Sequence, residues 1–108
     1  MTSVRYVVRG TLASPSFLED YLSWLQGGHV QDVIALGKAL SAEVIVLDVV
    51  DGGSVMVETS YEFSDRAALE AYFAGPAIEL RKDGVERWVE TGKATFSRTI
   101  GEIKFRAG

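Results

Sequence analysis

The chain has 108 residues, 47% of them hydrophobic, which is enough for one compact domain spanning residues 1–108 and too little for two. It contains no cysteine, so it offers neither a disulfide framework nor a thiolate metal site, and a reducing, cytoplasmic setting is expected. Eleven basic against fifteen acidic residues, interleaved to a net charge of -4, argue against nucleic acid as a partner, and apolar runs such as Val44–Leu47, with no secretory leader, argue against a membrane.

Val4–Leu12 sets Val4, Tyr6 and Val8 against Arg5, Val7 and Arg9, the alternation of a strand. Ser14 offers an N-cap oxygen and Pro15 suits the first helical position. Phe17, Leu18, Tyr21, Leu22, Trp24 and Leu25 then recur at helical spacing, so a helix is expected to about Gln26. Gly27-Gly28 interrupts it, and Val30, Val33, Ile34 and Gly37 continue the rhythm in a second piece that opens at His29.

Val44–Val50 is almost continuously β-branched or Leu, the pattern of a strand buried on both faces. Asp51-Gly52-Gly53 tolerates positive φ and predicts a hairpin into Val55–Phe63, so the second and third strands are expected side by side. Ser64 is expected to cap a helix carrying Leu69, Tyr72 and Phe73. Gly75-Pro76 breaks it, Ala77, Leu80, Gly84, Val85 and Trp88 extend the apolar stripe, and Gly92 ends it. Lys93–Ile103 is expected to be the last strand, followed by a mobile polar tail.

The order strand, helix, strand, strand, helix, strand predicts an α+β, ferredoxin-like βαββαβ fold: a four-stranded antiparallel sheet with the helices on one face. One sheet face is then left uncovered. The apolar second strand suggests that a second copy covers it, so a homodimer, face to face about a two-fold axis, is expected.

Tyr21-Leu22-Ser23-Trp24-Leu25, three residues, then His29-Val30, with Val33-Ile34 and Gly37 following, resembles the aromatic-Leu-x-Trp-Met-x-x-x-His-Ile signature of a group of small uncharacterised bacterial proteins. These belong to the dimeric α/β-barrel superfamily of ferredoxin-like fold. Tyr72, Pro76-Ala77 and Leu80-Arg81 are similar to that group's second-helix region, and Phe96-x-Arg98 to its final strand. Gly27-Gly28 ahead of the histidine departs from the pattern. The resemblance implies a dimeric barrel; the wider superfamily includes cofactor-independent monooxygenases, polyketide cyclases and haem enzymes, so fold alone selects no reaction.

His29 is the only histidine and the one side chain that ordinarily titrates near neutrality, which makes it the candidate catalytic general base. Its place at a helix start favours the neutral ring through the helix dipole. The alternative is a histidine packed at a helix bend or exposed. Trp24, Tyr72, Phe73 and Trp88 are candidates to wall a pocket for a flat apolar ligand, and ordinary core packing accounts for the same spacing. Arg98 and Arg81 are candidates to hold an anionic group, or are surface arginines.

Glu58 and Glu62 share one face of their strand, as Arg5 and Arg9 do of the first. These two strands should be neighbours, so cross-strand ion pairs are expected, or else a carboxylate acting as a second acid or base. The spacing matches no metal site and no phosphate loop, so no metal and no cofactor is expected; haem on His29 stands on analogy alone. Val55–Phe63 lacks the basic aromatic signature of RNA-binding modules of this element order.

Two functions follow. One is a cofactor-independent enzyme, monooxygenase-like or cyclase-like, acting on a small apolar or aromatic molecule through His29, with Trp24, Tyr72, Trp88 and Arg98 at the substrate. The other is a non-catalytic homodimer that binds a hydrophobic ligand or regulates a partner. An amino-acid-sensing module shares the element order but ordinarily accompanies a catalytic domain.

Overall fold

The computed structural model describes residues 2–48 and 53–108. Strand β1 (Val4–Leu12) is followed by a short turn (Pro15–Phe17), helices α1 (Leu18–Trp24) and α2 (Val30–Gly37), and strands β2 (Ser41–Leu47) and β3 (Met56–Phe63). Helices α3 (Arg66–Ala74) and α4 (Ala77–Gly84) then lead to strand β4 (Ala94–Glu102). The sheet is antiparallel in the order β2-β3-β1-β4. This is the ferredoxin-like fold expected from the order of elements.

Both helical regions are broken once. Between α1 and α2 a π-turn, Leu25–His29, holds Gly28 outside helical geometry, and a second π-turn, Val85–Val89, extends α4. Ser14 accepts the Ser16 amide at the start of the first region. The cap of α3 is Asp65, not Ser64: its carboxylate accepts the Ala68 amide at 2.8 Å, the position of an N3 donor relative to Asp65. Gly92, with φ 73, closes the last helical turn before β4.

Alternation decides which sheet residues meet the helices. Val4, Tyr6 and Leu12 of β1 and Val57, Tyr61 and Phe63 of β3 are buried beneath Tyr21, Leu25, Val33, Leu69 and Tyr72. Gly37 lets α2 approach α3 closely: a Cβ there would stand 2.5 Å from the Tyr72 ring. The opposite face carries the expected ion pairs. Arg5 opposes Glu62 and Arg9 opposes Glu58 in the β1–β3 register; Arg9 Nε donates to Glu58 at 3.0 Å, and Arg5 also reaches Glu43 at 3.2 Å.

The second strand differs from its expectation. It begins at Ser41 and lies at the sheet edge, so its residues alternate: Ala42, Val44 and Val46 share the helix-facing row, Glu43, Ile45 and Leu47 the open one. Ile45 is 45% exposed because it lies on the uncovered face, and Val46, though in the helix-facing row, is 43% exposed on an edge strand with a neighbour on one side only; Ala42 and Val44 of the same row do pack against the core. The expected hairpin residues Asp51 and Gly52, with Val49 and Val50, lie outside the described residues. The tail is tied at two points: the Ile103 amide donates to the Ser3 carbonyl at 3.0 Å, and Arg106 donates to Glu62 at 2.5 Å.

Replacing Gly37 with Ala should cost about 1–3 kcal/mol, because the added methyl must displace a packed ring. Urea denaturation measures it. An unchanged midpoint would show that α2 and α3 can separate freely.

Candidate functional site

The helix-facing side of the sheet does not close completely. A cavity of about 30 Å³ remains between β1, β3 and the helices, room for about two water molecules. Tyr6, Tyr21, Tyr61 and Tyr72 all reach it, with Thr59 on its floor and Trp24, His29, Arg81 and Arg98 around its rim. Thr59 is 1% exposed, and its hydroxyl has no hydrogen-bond partner among the described residues. A buried hydroxyl in that state carries an unmet desolvation cost.

Four of the five residues expected at the site, His29, Trp24, Tyr72 and Arg98, line this cavity. The two glycines turn the chain so that His29 folds back onto Trp24, the rings stacked at 4.1 Å between centroids and 23° between planes. Helix α4 holds the indole in place: Trp24 Nε1 donates to Asp83 at 3.2 Å, and Gly84 supplies the space, since a Cβ there would lie 3.2 Å from Trp24. Arg87 Nε donates to the other oxygen of Asp83 at 3.0 Å. Burial tends to raise the Asp83 carboxyl, but the hydrogen bonds from Arg87 and Trp24 prevail and hold it below its usual range.

Trp88 is not at the cavity. Its ring packs edge-on against Tyr21 at 5.0 Å and is buried with Leu12, Leu25 and Ala94. Trp88 lies within the π-turn Val85–Val89, where its ring belongs to the core, while Tyr72, Leu80 and Gly84 of the same region line the cavity. Phe73, also expected at the wall, lies edge-on to Tyr6 at 5.0 Å and carries the Arg81 guanidinium over its ring at 4.8 Å.

Burial is the main cause that lowers the His29 pKa from its usual 6.5; Asp83 and Asp32 push it back up without reversing the shift. The imidazole is therefore neutral at neutral pH and able to accept a proton. Burial, with Tyr6 adding to it, raises Tyr72 to about 12, and burial likewise pushes Tyr21 and Tyr61 up, so all three phenols stay protonated. On the outer side, a cleft of about 370 Å³ shares Trp24, His29 and Leu80 with the cavity and adds Asp32, Asp83 and Arg87. The stacked pair thus lies between the outer cleft and the smaller cavity and lines both.

Sequence reasoning passed over Tyr6, Tyr21, Thr59 and Asp83 as site residues. Tyr6 and Thr59 fall on the same strand faces as core positions, so alternation alone reads them as packing. Asp83 four residues before Arg87 is a helical ion-pair spacing and was the available signal. Among the described residues, no group of three metal-ligating side chains occurs, and no helix is long and apolar enough to cross a membrane.

A family profile described as a domain of unknown function (DUF4286) matches residues 7–103. The chain belongs to the DUF4286 family. No curated protein matches it. The DUF4286 chain is similar in structure to a dimeric ferredoxin-like protein from an uncultured marine organism, with a TM-score of 0.79 at 16% identity over 99% of this chain and 100% of that one. An ethyl tert-butyl ether (EthD) family protein from Bacillus halodurans matches with a TM-score of 0.69 at 14% identity, covering 95% and 99% of the two chains. A cofactor-independent oxygenase from Streptomyces nogalater matches at 0.56 and 13% identity, covering 98% and 97%. At these identities the likeness is one of fold, which for the DUF4286 chain is ferredoxin-like.

The His29 shift has a sign that can be checked. Its pKa is depressed in the folded state, so it contributes stability that is present above 6.5 and is lost as pH falls toward and through the folded value. NMR titration should place the imidazole below 6.5, and His29→Gln should flatten the loss of thermal stability on acidification below pH 6.5. Asp83→Asn should lower the His29 pKa further, since it removes the carboxylate with the larger raising effect of the two.

Proposed function

We propose that the chain is a homodimer that binds a small apolar or aromatic molecule at the cavity and uses neutral His29 as general base in a cofactor-independent reaction. Proton removal from the substrate opens both the monooxygenase-like and the cyclase-like course. The observation that carries this reading is the convergence of a neutral imidazole and an unpartnered buried hydroxyl, that of Thr59, on one cavity. The cavity's about 30 Å³ suits one small polar group of the ligand and the outer cleft the rest of the molecule, with His29 lining both. Trp24 supplies a flat apolar surface, Tyr72 a phenol donor and Arg98 a positive charge. Trp88 acts only by backing Tyr21.

The open sheet face supports the homodimer. Ile45, Leu47 and Met56 form an apolar patch toward the β2 edge and Val7 a separate apolar point beside Ser60, among the pairs of Arg5 and Arg9, a mixture suited to a self-complementary surface. The dimeric ferredoxin-like neighbour lends support of the same kind. Sedimentation velocity should give twice the chain mass, and Ile45→Asp should shift the particle toward a single chain; a wild-type monomer removes the assembly.

Catalysis is tested with 2-tetralone, a bicyclic ketone with acidic protons between ring and carbonyl. The protein should accelerate exchange of those protons for deuterium in an NMR assay, and His29→Ala should reduce the acceleration by about 10²-fold or more. The small volume of the cavity also favours a second reading, a non-catalytic ligand-binding dimer. Binding of 2-tetralone without accelerated exchange would select it.

A further inference from the structure

Two guanidinium groups from different elements meet at one phenol. Arg98 Nε of β4 donates to the Tyr6 hydroxyl at 3.0 Å, and Arg81 Nη2 of α4 stands 3.5 Å from the same oxygen, at the outer limit of a hydrogen bond. Tyr6 itself is 3% exposed. Among the described residues neither arginine forms an ion pair, although Arg5, Arg9, Arg87 and Arg106 all do. Both arginines are exposed, so water carries their charge in the free protein, and each keeps N–H donors free for an anion at the cavity rim.

The hydroxyl chemistry points the same way. A phenol oxygen has two lone pairs and one proton. The two guanidinium donors occupy its acceptor side, which leaves the Tyr6 proton to be donated elsewhere. The cavity it lines also holds the Thr59 hydroxyl, buried without a partner. Two cations and two hydroxyl donors therefore surround a space large enough for one small charged group and too small for a ring.

We propose that the cavity takes the carboxylate of a small aromatic or aliphatic acid, held between Arg81 and Arg98, with Tyr6 and Thr59 donating to its oxygens. The apolar remainder then lies along Trp24 and Leu80 toward the outer cleft. Arg81 and Arg98 set a preference for the carboxylate over a neutral carbonyl, to which they offer a hydrogen bond but no charge pairing. This inference rests on the reading of the cavity as a ligand site and narrows the ligand to organic anions.

The test compares 2-naphthoate with 2-naphthamide, which have the same ring and nearly the same shape, by isothermal titration calorimetry on the wild-type protein. Naphthoate should bind at least about tenfold more tightly, the difference that one charge-assisted hydrogen bond supplies. Arg98→Gln and Arg81→Gln should each reduce that ratio, and the double variant should abolish it, naphthoate losing far more affinity than naphthamide. Retained naphthamide binding also shows that the variants fold. Equal binding of the two probes to the wild type, or a ratio that survives in the double variant, overturns the carboxylate assignment and leaves the cavity as a ligand site. Absence of binding by either probe overturns both.

Discussion

A core built around four tyrosines cannot close as a core of leucines does. Tyr6, Tyr21, Tyr61 and Tyr72 are each at most 5% exposed, and each ring ends in a hydroxyl that must find a partner or bear the cost of lost hydration. Their rings pack well: Tyr6 stacks with Tyr61 at 6.1 Å, and Tyr72 with Phe63 at 5.5 Å. Their oxygens, however, gather toward one region beneath the helices. The remaining gap is lined mostly by apolar surface, with a few polar groups, Thr59 among them.

The breaks in the helices follow from the same layer. A straight helix touches a twisted sheet along a short stretch, and each helical region here bends once to stay in contact. The first bend, at Gly27-Gly28, returns His29 onto Trp24; the second region contributes Asp83, which holds the indole, and Gly84, which makes room for it. One stacked pair is thereby fixed from both sides. The position that covers the cavity also sets the protonation of His29, since the burial that makes the pair a wall is what lowers the imidazole's pKa.

The two sheet faces divide the labour of the chain. On the covered face, β1 and β3 supply aromatic rings and Thr59; on the open face the same strands supply Arg5, Arg9, Glu58 and Glu62 in register. Surface ion pairs of this kind add little to stability, on the order of 0–1 kcal/mol each. They do neutralise one another, so the open face presents alternating sign rather than a single charged field. Arg81 and Arg98 stand apart from this scheme, at the rim of the covered face and without carboxylate partners among the described residues.

Much of this was readable from the chain alone. Period-two alternation in Val4–Leu12, helical spacing around Tyr21 and Tyr72, and glycine or proline at each break determined the element order, and the order determined the sheet, because each of those signals is local. The Arg–Glu pairing was also accessible, since it needs only that β1 and β3 be neighbours. Tertiary structure alone decided the rest. Whether β2 is central or at the edge depends on strand order, so its apolar run misled; which side of a π-turn an indole faces depends on backbone geometry that no spacing encodes, and the fold sets Trp24 beside the cavity and Trp88 in the core. The meeting of Tyr6, Arg81 and Arg98 joins positions 75 and 92 residues apart in the chain, a proximity that only the folded layers create.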